Sequence, residues 1–415
     1  MLDIKYVREN LEEVKKALEK KHTQFDLEKI LKLDDEKRDL QKRIEILRAE
    51  QNKLAKEGKS ASRRTDRAVE IKQMLKDLEP QLAEVEEAYL EEAAKIHNIP
   101  HESVPSKDEG NKVEKEWGKI PKFDFKVKDN HELGKDLDII DIERGVKVSG
   151  SRFYYLKNEA VLLEFALINY LIEKLTKKGF TGLIPPALIK EDAMFGTGFF
   201  PAEKKDIYHV NPEEDNLYLI GTAEVPMASY HSDEILNEDD LPKKYWGFST
   251  CFRREAGSYG VDTRGIIRAH QFDKVEMFVF SKPENSWQIF EELVKINEEI
   301  FQELELPYRL VNISGGELGA PNAKKIDGEV WFPSQEKYRE LTSCSHDTDF
   351  QARRLNIKYR KGDGMTEFVH TLNDTALAIG RTIAAILENY QQKDGSIKVP
   401  EVLKKYVGFE EIKKQ

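Results

Sequence analysis

Charge crowds into the stretch Ser249–Phe280, which includes Arg253, Glu255, Arg264, Arg268, His270, Asp273, Lys274 and Glu276. Apolar residues flank them. Trp246, Phe248 and Phe252 mark one strand-like segment, Tyr245–Arg254. A second, Gly265–Phe280, is rich in Ile, Val and Phe. The glycine-containing run Ala256–Gly265 lies between, so the two segments read as an antiparallel pair. Charges on half-buried strands cost several kcal/mol each unless paired or liganded. One reading is a solvated hairpin face with ordinary cross-strand ion pairs. The other is a floor that binds something carrying both signs, such as a nucleotide with an amino acid. The density of charge within strand-like sequence favours the second.

Three other stretches carry polar groups able to do chemistry. Leu217–Glu224 is a strand ending in Thr222, Ala223 and Glu224. A hydroxyl and a carboxylate there could clasp an ammonium group, or Thr222 could cap a helix. Lys337–Ala352 follows the strand-like Glu329–Pro333 and places oxygen donors at Glu340, Thr342 and Ser343. Mg²⁺ needs only one or two protein oxygens where phosphates supply the rest. Thr371–Arg381 runs into a helix ending near Tyr390 and brings a guanidinium, Arg381. His101 and the other scattered histidines have no ligand spacing. The two cysteines, Cys251 and Cys344, exclude a disulfide framework and a four-cysteine zinc site.

These segments need a large scaffold. At 415 residues, 39% hydrophobic and 34% charged, the chain has material for two or three domains with one large core and a solvated extension. The net charge of −11 argues against nonspecific nucleic-acid binding by the whole surface. No export signal or apolar run long enough to span a membrane is present, so the expected compartment is the reducing cytoplasm.

Residues 1 to 22 read as one short helix with Leu2, Ile4, Val7, Leu11, Val14 and Leu18 on a face. Ile30, Leu33, Lys37, Leu40, Ile44, Leu47, Gln51 and Leu54 then follow alternating steps of three and four, a coiled-coil seam with two polar interruptions. Turn residues from Lys56 to Ser62 break it. It resumes as Ile71, Leu75, Leu78, Leu82, Val85, Tyr89, Ala93 and Ile96. Two seams and a turn predict an antiparallel helical hairpin with arms of ~45 Å. Pro80 should bend the second arm outward without ending it. From Lys42 to Lys76 eleven basic residues face five acids. A spacer or dimerising coiled coil is one reading of this hairpin; its basic distal half favours a phosphate backbone as partner. Pro100 and Pro105 end the arm. Later, Glu159–Lys178 reads as an amphipathic helix with Leu162, Phe165, Ala166, Asn169, Ile172 and Leu175 inward.

Phe252-Arg253-Arg254-Glu255, followed by the loop and Arg268-Ala269-His270-Gln271-Phe272-Asp273-Lys274-Val275-Glu276, resembles the second signature motif of class II aminoacyl-tRNA synthetases. The His-Gln-Phe-Asp-Lys-Val-Glu form is similar to that of the seryl-tRNA synthetase family. Phe180–Pro186 resembles the first motif, which forms the family's dimer interface, and Thr371–Arg381 the third. The resemblance covers essentially the whole chain. It implies an α+β protein: a coiled-coil hairpin over 1–110, then a class II domain, an antiparallel sheet flanked by helices, over 111–415.

The activity it implies joins L-serine to ATP as seryl-adenylate and passes serine to the terminal adenosine of tRNA-Ser, and of tRNA-Sec where present. Carried over by motif, Arg253, Arg268 and Arg381 are catalytic. Thr222, Ala223, Glu224, Arg253, Glu276 and Thr375 bind serine. Arg253, Arg254, Glu255, Ala269, Phe272, Glu340, Leu341, Thr342, Ser343 and Arg381 bind ATP, with Glu255 reading the adenine amino group and Phe272 stacking on the ring. Glu340 and Ser343 hold Mg²⁺; no zinc is expected. The hairpin, through Lys42, Arg43, Arg48, Lys53, Arg63, Arg64 and Arg67, would hold tRNA, and the chain would be a homodimer away from membranes. The chain departs from the family at Asp374-Thr375, where Gly-Ser is usual, at Phe199, where Gln is common, and at Val261, often basic. A ligase for a carrier protein would lack the hairpin of residues 26 to 97. A noncatalytic adaptor would not keep Arg253, Glu255, Glu276, Glu340 and Arg381.

Overall fold

A computed structural model describes residues 1–21, 25–56, 62–256 and 265–414, with the side chains of 62–65 left out. The chain divides into two compact units, Met1–Ile99 and Pro100–Gln415. No helix of the described residues is long and apolar enough to cross a membrane.

The first unit is a helical hairpin of α1 (Leu27–Lys56) and α2 (Ser62–Lys95). Ion pairs and hydrogen bonds run between the helices in antiparallel order: Lys29 with Glu92, Gln41 with Glu86, Arg48 with Glu79, and Arg67 with Glu50. Two apolar clusters lie along the seam. Leu40, Ile44, Ile71, Leu75 and Leu78 fill the distal one. Val7, Val14, Leu18, Leu27, Ile30, Ala93 and Ile96 fill the basal one. Helix α2 continues through Pro80 as one element. The expected single N-terminal helix is two, Ile4–Glu9 and Leu11–Glu19, divided at Asn10, whose φ of −128° leaves the helical region and whose side chain hydrogen-bonds back to the Tyr6 carbonyl. The seam also holds a buried acid, Asp34, beside half-buried Leu33. Arg8 donates to it at 2.9 Å, which offsets the cost of burial.

In the second unit, among the described residues, eight strands form one sheet: β1 (Lys112–Trp117), β2 (Thr181–Leu183), β3 (Lys243–Phe252), β4 (Gln271–Ser281), β5 (Tyr308–Asn312), β6 (Lys324–Phe332), β7 (Lys337–His346) and β8 (His370–Ala378). The spatial order is β1-β5-β6-β7-β8-β4-β3-β2. Neighbours are antiparallel except β2 and β3, which are parallel. Helices α3 (Asn158–Lys177), α4 (Pro283–Glu303) and α5 (Ile379–Asn389) contribute, with the sheet, to the main apolar core. Residues 100–110, expected in the first domain, hydrogen-bond here: His101 N–H to the Ala323 carbonyl, Gly315 N–H to that of Pro105.

Strands β3 and β4 pair as predicted, Gln271 opposite Phe252 through Phe280 opposite Lys243. The second strand starts at Gln271, not Gly265. The Ile266 N–H goes to Asn130 Oδ1, the Ile267 carbonyl to Arg381 and the His270 N–H to the Arg152 carbonyl, so these groups make no ladder. The inward face of α3 also differs. Ala160, Leu163, Ala166, Leu167, Ile168, Tyr170, Leu171 and Leu175 are buried, whereas Leu162, Phe165 and Asn169 are exposed. This helix is apolar on two sides, so periodicity gives no unique phase.

Candidate functional site

A cleft of about 450 Å³ is lined by residues from β4, β6, β7 and β8 and from the segments beside the strands, among them the one that follows β3. A smaller chamber of about 50 Å³ shares Arg253, Glu255, Arg268, Lys274, Glu340 and Thr375 with it and continues to Ala269, Phe272, Leu341, Gly380 and Arg381. The two make one site with a wide polar half and a narrow, partly apolar half.

Alternation within the strands, and the turn after β3 where Glu255 takes a φ of +50°, decide which motif residues reach it. Arg253 and Glu255 line the cleft; Arg254, between them, is exposed outside it and lines neither chamber. Arg253 is anchored by Nε to the Gly221 carbonyl at 3.1 Å, and its guanidinium carbon lies 5.5 Å from the Phe272 ring centre. Arg268 Nη1 donates to Glu255 Oε2 at 2.9 Å. Arg381 donates to the Ile267 carbonyl from Nε at 3.0 Å and to the Glu340 carbonyl from Nη1 at 2.9 Å, with the Glu340 carboxylate at 3.4 Å. A Cβ on Gly380 would sit 2.8 Å from the Tyr154 hydroxyl, so this first turn of α5 needs glycine to approach.

Lys274, Glu276 and Thr375 form a buried polar knot. Nζ of Lys274 lies 2.5 Å from Glu276 Oε2 and donates to Thr375 Oγ1 at 3.2 Å, while Thr375 Oγ1 donates to Glu276 Oε2 at 3.2 Å. Glu276 is 1% exposed and Lys274 6%, so each charge requires the other.

Opposite stands Glu224, at the start of the short helix Glu224–Ala228. Its Oε1 accepts from Gln351 Nε2 at 2.9 Å and Asn373 Nδ2 at 3.3 Å. Burial, then Asp347 and Glu276, push its carboxyl up to about 8. Thr222 Oγ1 accepts the Glu224 N–H at 3.2 Å and also lines the cleft, so capping and lining coincide in one hydroxyl. Ala223 lines neither chamber; it packs with Met227 and Tyr245 in an apolar cluster.

On β7, Glu340, Ser343 and Ser345 line the wide half and Leu341 the narrow one. Thr342 points away: its buried hydroxyl would meet a Cβ placed on Gly328 at 2.3 Å, so only its main chain can serve a ligand. Burial raises the Glu340 carboxyl, but Arg381, Lys325 and Arg253 outweigh it and hold the group below its ordinary value. Glu340 thus stays ionised with Ser343 on the same wall, a hard-oxygen set that fits Mg²⁺. Among the described residues no three His, Cys, Asp or Glu side chains converge as a metal cage, so such an ion needs phosphate oxygens as well.

Among the departures, Phe199 lines the cleft. Asp374 does not: it is wholly buried beneath the sheet, where Asn297 of α4 donates to it at 2.7 Å. Val261, Arg264, and the side chains of Arg63 and Arg64 lie outside the described residues. On the hairpin, Lys42, Arg43, Arg48 and Lys53 are exposed. Arg43 pairs with Asp39 at 3.6 Å and Arg48 with Glu79 at 2.9 Å. Arg67 is bound at both ends, to Glu50 at 2.9 and 3.0 Å and to Glu70 at 3.1 Å, so part of the basic excess is internally compensated.

Several lining residues went unassigned from sequence. Lys274 precedes Glu276 by two and Asn373 precedes Thr375 by two, the spacing that shares a strand face; that signal was available. Lys325, 3.6 Å from Asp327, had the same signal on the part of β6 that precedes the strand-like Glu329–Pro333. Asp206 had none: its Oδ1 accepts the Ala256 N–H at 2.8 Å from fifty residues away. Nor had Gln351, which lies behind the lining and reaches it only through Glu224.

Residues 1–100 match the family described as seryl-tRNA synthetase N-terminal domain, and residues 208–390 the tRNA synthetase class II core domain (G, H, P, S and T). The chain is 46% identical over 427 residues to a serine–tRNA ligase of Thermodesulfovibrio yellowstonii, covering 100% of both. It is similar to the crystal structure of seryl-tRNA synthetase from Pyrococcus horikoshii complexed with ATP (TM-score 0.90, 43% identity, 100% of both chains). It is also similar to the cytoplasmic serine–tRNA ligase of Naegleria fowleri in complex with AMP (TM-score 0.88, 35% identity, 100% of this chain and 99% of that one). With the hairpin, the three motifs and the two-part cleft all present in one chain matched from end to end, the protein belongs to the seryl-tRNA synthetase family.

Proposed function

We propose that the chain is a cytoplasmic serine–tRNA ligase that activates L-serine with ATP and transfers it to the 3′-terminal adenosine of tRNA-Ser, and of tRNA-Sec where that tRNA exists. The observation that carries this reading is the shared wall of the two chambers. Arg253 lines both chambers, between Glu224, Glu276 and Thr375, whose polar groups suit a small hydroxy amino acid, and Phe272 and Arg381, whose ring and guanidinium suit a nucleotide.

In the first step a serine carboxylate oxygen attacks the α-phosphorus, the α–β bridging bond breaks and pyrophosphate leaves. Arg253 would span the carboxylate and the α-phosphate, where negative charge gathers. Glu224 and Thr222 would take the ammonium group. Glu276 and Thr375 would read the hydroxyl, held ready by Lys274. Phe272 offers a face for adenine stacking and Glu255 an acceptor for its amino group. Arg268, paired with Glu255 in the free protein, would turn to phosphate, and Arg381 would neutralise the far end. Glu340 and Ser343 would hold Mg²⁺, which when bound supplies fixed positive charge to the phosphate oxygens. Positioning and charge complementarity do most of this work, since the protein forms no bond to the substrate. In the second step the adenosine hydroxyl attacks the acyl carbon and AMP leaves. The hairpin's exposed Lys42, Arg43, Arg48 and Lys53, with Arg63, Arg64 and Arg67, would hold the tRNA by shape and phosphate contacts.

A homodimer is supported by two exposed apolar residues, Phe165 on α3 and Ile184 in the motif-one segment after β2, which are 57% and 84% exposed. Pyrophosphate exchange into ATP, run with each standard amino acid in turn, tests the activity. Exchange should depend on serine. Exchange with another amino acid in its place, or with none, overturns the assignment.

A further inference from the structure

Gln351 has no contact with the cleft, yet its amide is fixed at three points. It lies on the short helix Phe350–Leu355 and is wholly buried. Its Oε1 accepts from the Thr371 hydroxyl at 2.8 Å. Its Nε2 donates to the Thr197 carbonyl at 3.2 Å and to Glu224 Oε1 at 2.9 Å. A carbonyl and a carboxylate can only accept, so both facing Nε2 sets the amide's orientation. Asn373 Nδ2 reaches the same Glu224 oxygen at 3.3 Å and is itself held by Asp347 Oδ2 at 2.9 Å. Glu224 Oε1 is therefore occupied by two neutral donors. Among the described residues none donates to Oε2, and Glu224 lines the cleft.

We propose that Gln351 is a positioning residue for amino-group recognition: by occupying Oε1 it fixes the Glu224 carboxylate so that Oε2 faces the substrate ammonium. The inference rests on the reading of Glu224 as the ammonium acceptor. It extends that reading to a residue remote from substrate, on a helix that carries no signature motif. The donated hydrogen bond also favours the charged carboxylate. This matters because the groups around Glu224 oppose charge. Burial, Asp347 at the end of β7 and Glu276 on β4 all raise its proton affinity, and only Gln351 and Lys274 lower it. Without Gln351, Glu224 would hold its proton to higher pH and present a neutral acid to an ammonium ion.

The test is pyrophosphate exchange by the full-length Gln351→Met variant, with KM for serine and for ATP measured separately between pH 6.5 and 9. KM for serine should rise by about tenfold or more, the range for losing a hydrogen bond to a charged group, with KM for ATP and kcat within about threefold. The rise should be larger at the acid end and shrink as pH increases. A KM for serine that does not move, or one that moves in step with that for ATP at every pH, overturns the proposal. Thr371→Val removes only the hydroxyl that orients the amide. It should show the same split in smaller degree, and it serves as the test if Gln351→Met does not fold; no split there also overturns the proposal. Glu224→Gln separates the two layers. If it leaves KM for serine unchanged, the ammonium assignment itself is wrong; if it raises KM while both other variants do not, only the role of Gln351 falls.

Discussion

One hydroxyl, that of Thr375, stands between a buried ammonium and a buried carboxylate, donating to Glu276 and accepting from Lys274. A ligand hydroxyl arriving there meets groups already oriented, which is how a small site rejects an analogue lacking that hydroxyl. The neighbouring Asp374 answers to a different environment. Among the described residues its Oδ2 and the Oδ1 of Asn297 are both buried without a partner, and burial raises its proton affinity well above the usual carboxylate range. A proton on Oδ2 would turn one of two stranded acceptors into a donor. The folded state then keeps a proton that the unfolded chain releases near pH 4. Since the folded state binds more protons, this group's contribution to stability falls as pH rises above that value. Asp374→Asn, which supplies a permanent donor, should flatten the dependence: between pH 5 and 8 its urea midpoint should drop less than that of the parent, by a difference worth more than about 1 kcal/mol. Parallel pH curves would mean that Asp374 ionises without cost. At this scale much of the site was legible. Arg253, Glu255 and Glu276 stood out because charge within strand-like sequence needs a reason, while Thr375 came only from the resemblance of Thr371–Arg381 to the third motif. Arg254 and the Thr342 side chain, carried over with their motifs, point away from the cleft, and Ala223, in helical conformation, packs into an apolar cluster instead. Gln351 belongs to no periodic pattern near the cleft; tertiary packing alone brings it to Glu224.

The hairpin shows what an element can do apart from the site. Its distal cluster of Leu40, Ile44, Ile71, Leu75 and Leu78 is distinct from the basal one built on Val7, Leu18, Ile30 and Ile96. Replacing Leu40–Leu82 with a short linker removes the distal cluster entire and leaves the basal one its residues. Serine-dependent exchange should stay within about twofold, whereas tRNA charging at physiological salt should fall by about 100-fold or more, as expected when several phosphate contacts are lost together. Equal loss of both activities in a folded variant would make the hairpin a structural part of the catalytic unit, and unchanged charging would place the RNA elsewhere. The seam itself was visible as alternating steps of three and four. Asp34 was not, because its burial depends on Arg8 reaching it from another helix. Helix α3 illustrates the converse limit. Its apolar residues were seen, but Leu162 and Phe165 were assigned inward although they are 49% and 57% exposed. A helix that buries one side on the sheet and keeps a second apolar side gives no single stripe to phase.

Across the whole molecule, that second apolar side of α3 and Ile184 leave large hydrophobic residues in water, the kind of surface on which the proposed homodimer rests. Sedimentation equilibrium should give twice the 48.0 kDa chain mass, and Phe165→Asp should move the protein toward the single-chain mass. A parent that sediments as a single chain would refute the dimer. Composition told little at this scale: the net charge of −11 coexists with a basic distal hairpin, so only local counting was informative. The hairpin followed from apolar steps of three and four along the chain, whereas the antiparallel sheet flanked by helices came from the resemblance to the class II motifs. The order of strands followed from neither, since β1 pairs with β5 and β4 with β8 across long intervals. The central claim is that this cleft is built for seryl-adenylate, and calorimetric titration with nonhydrolysable adenylate analogues tests it most directly. The seryl analogue should saturate one site per chain and bind at least about 100-fold more tightly than the alanyl analogue, with Thr375→Val narrowing that ratio. Equal affinity for the two analogues, or no binding of the seryl one to the folded protein, would contradict the account.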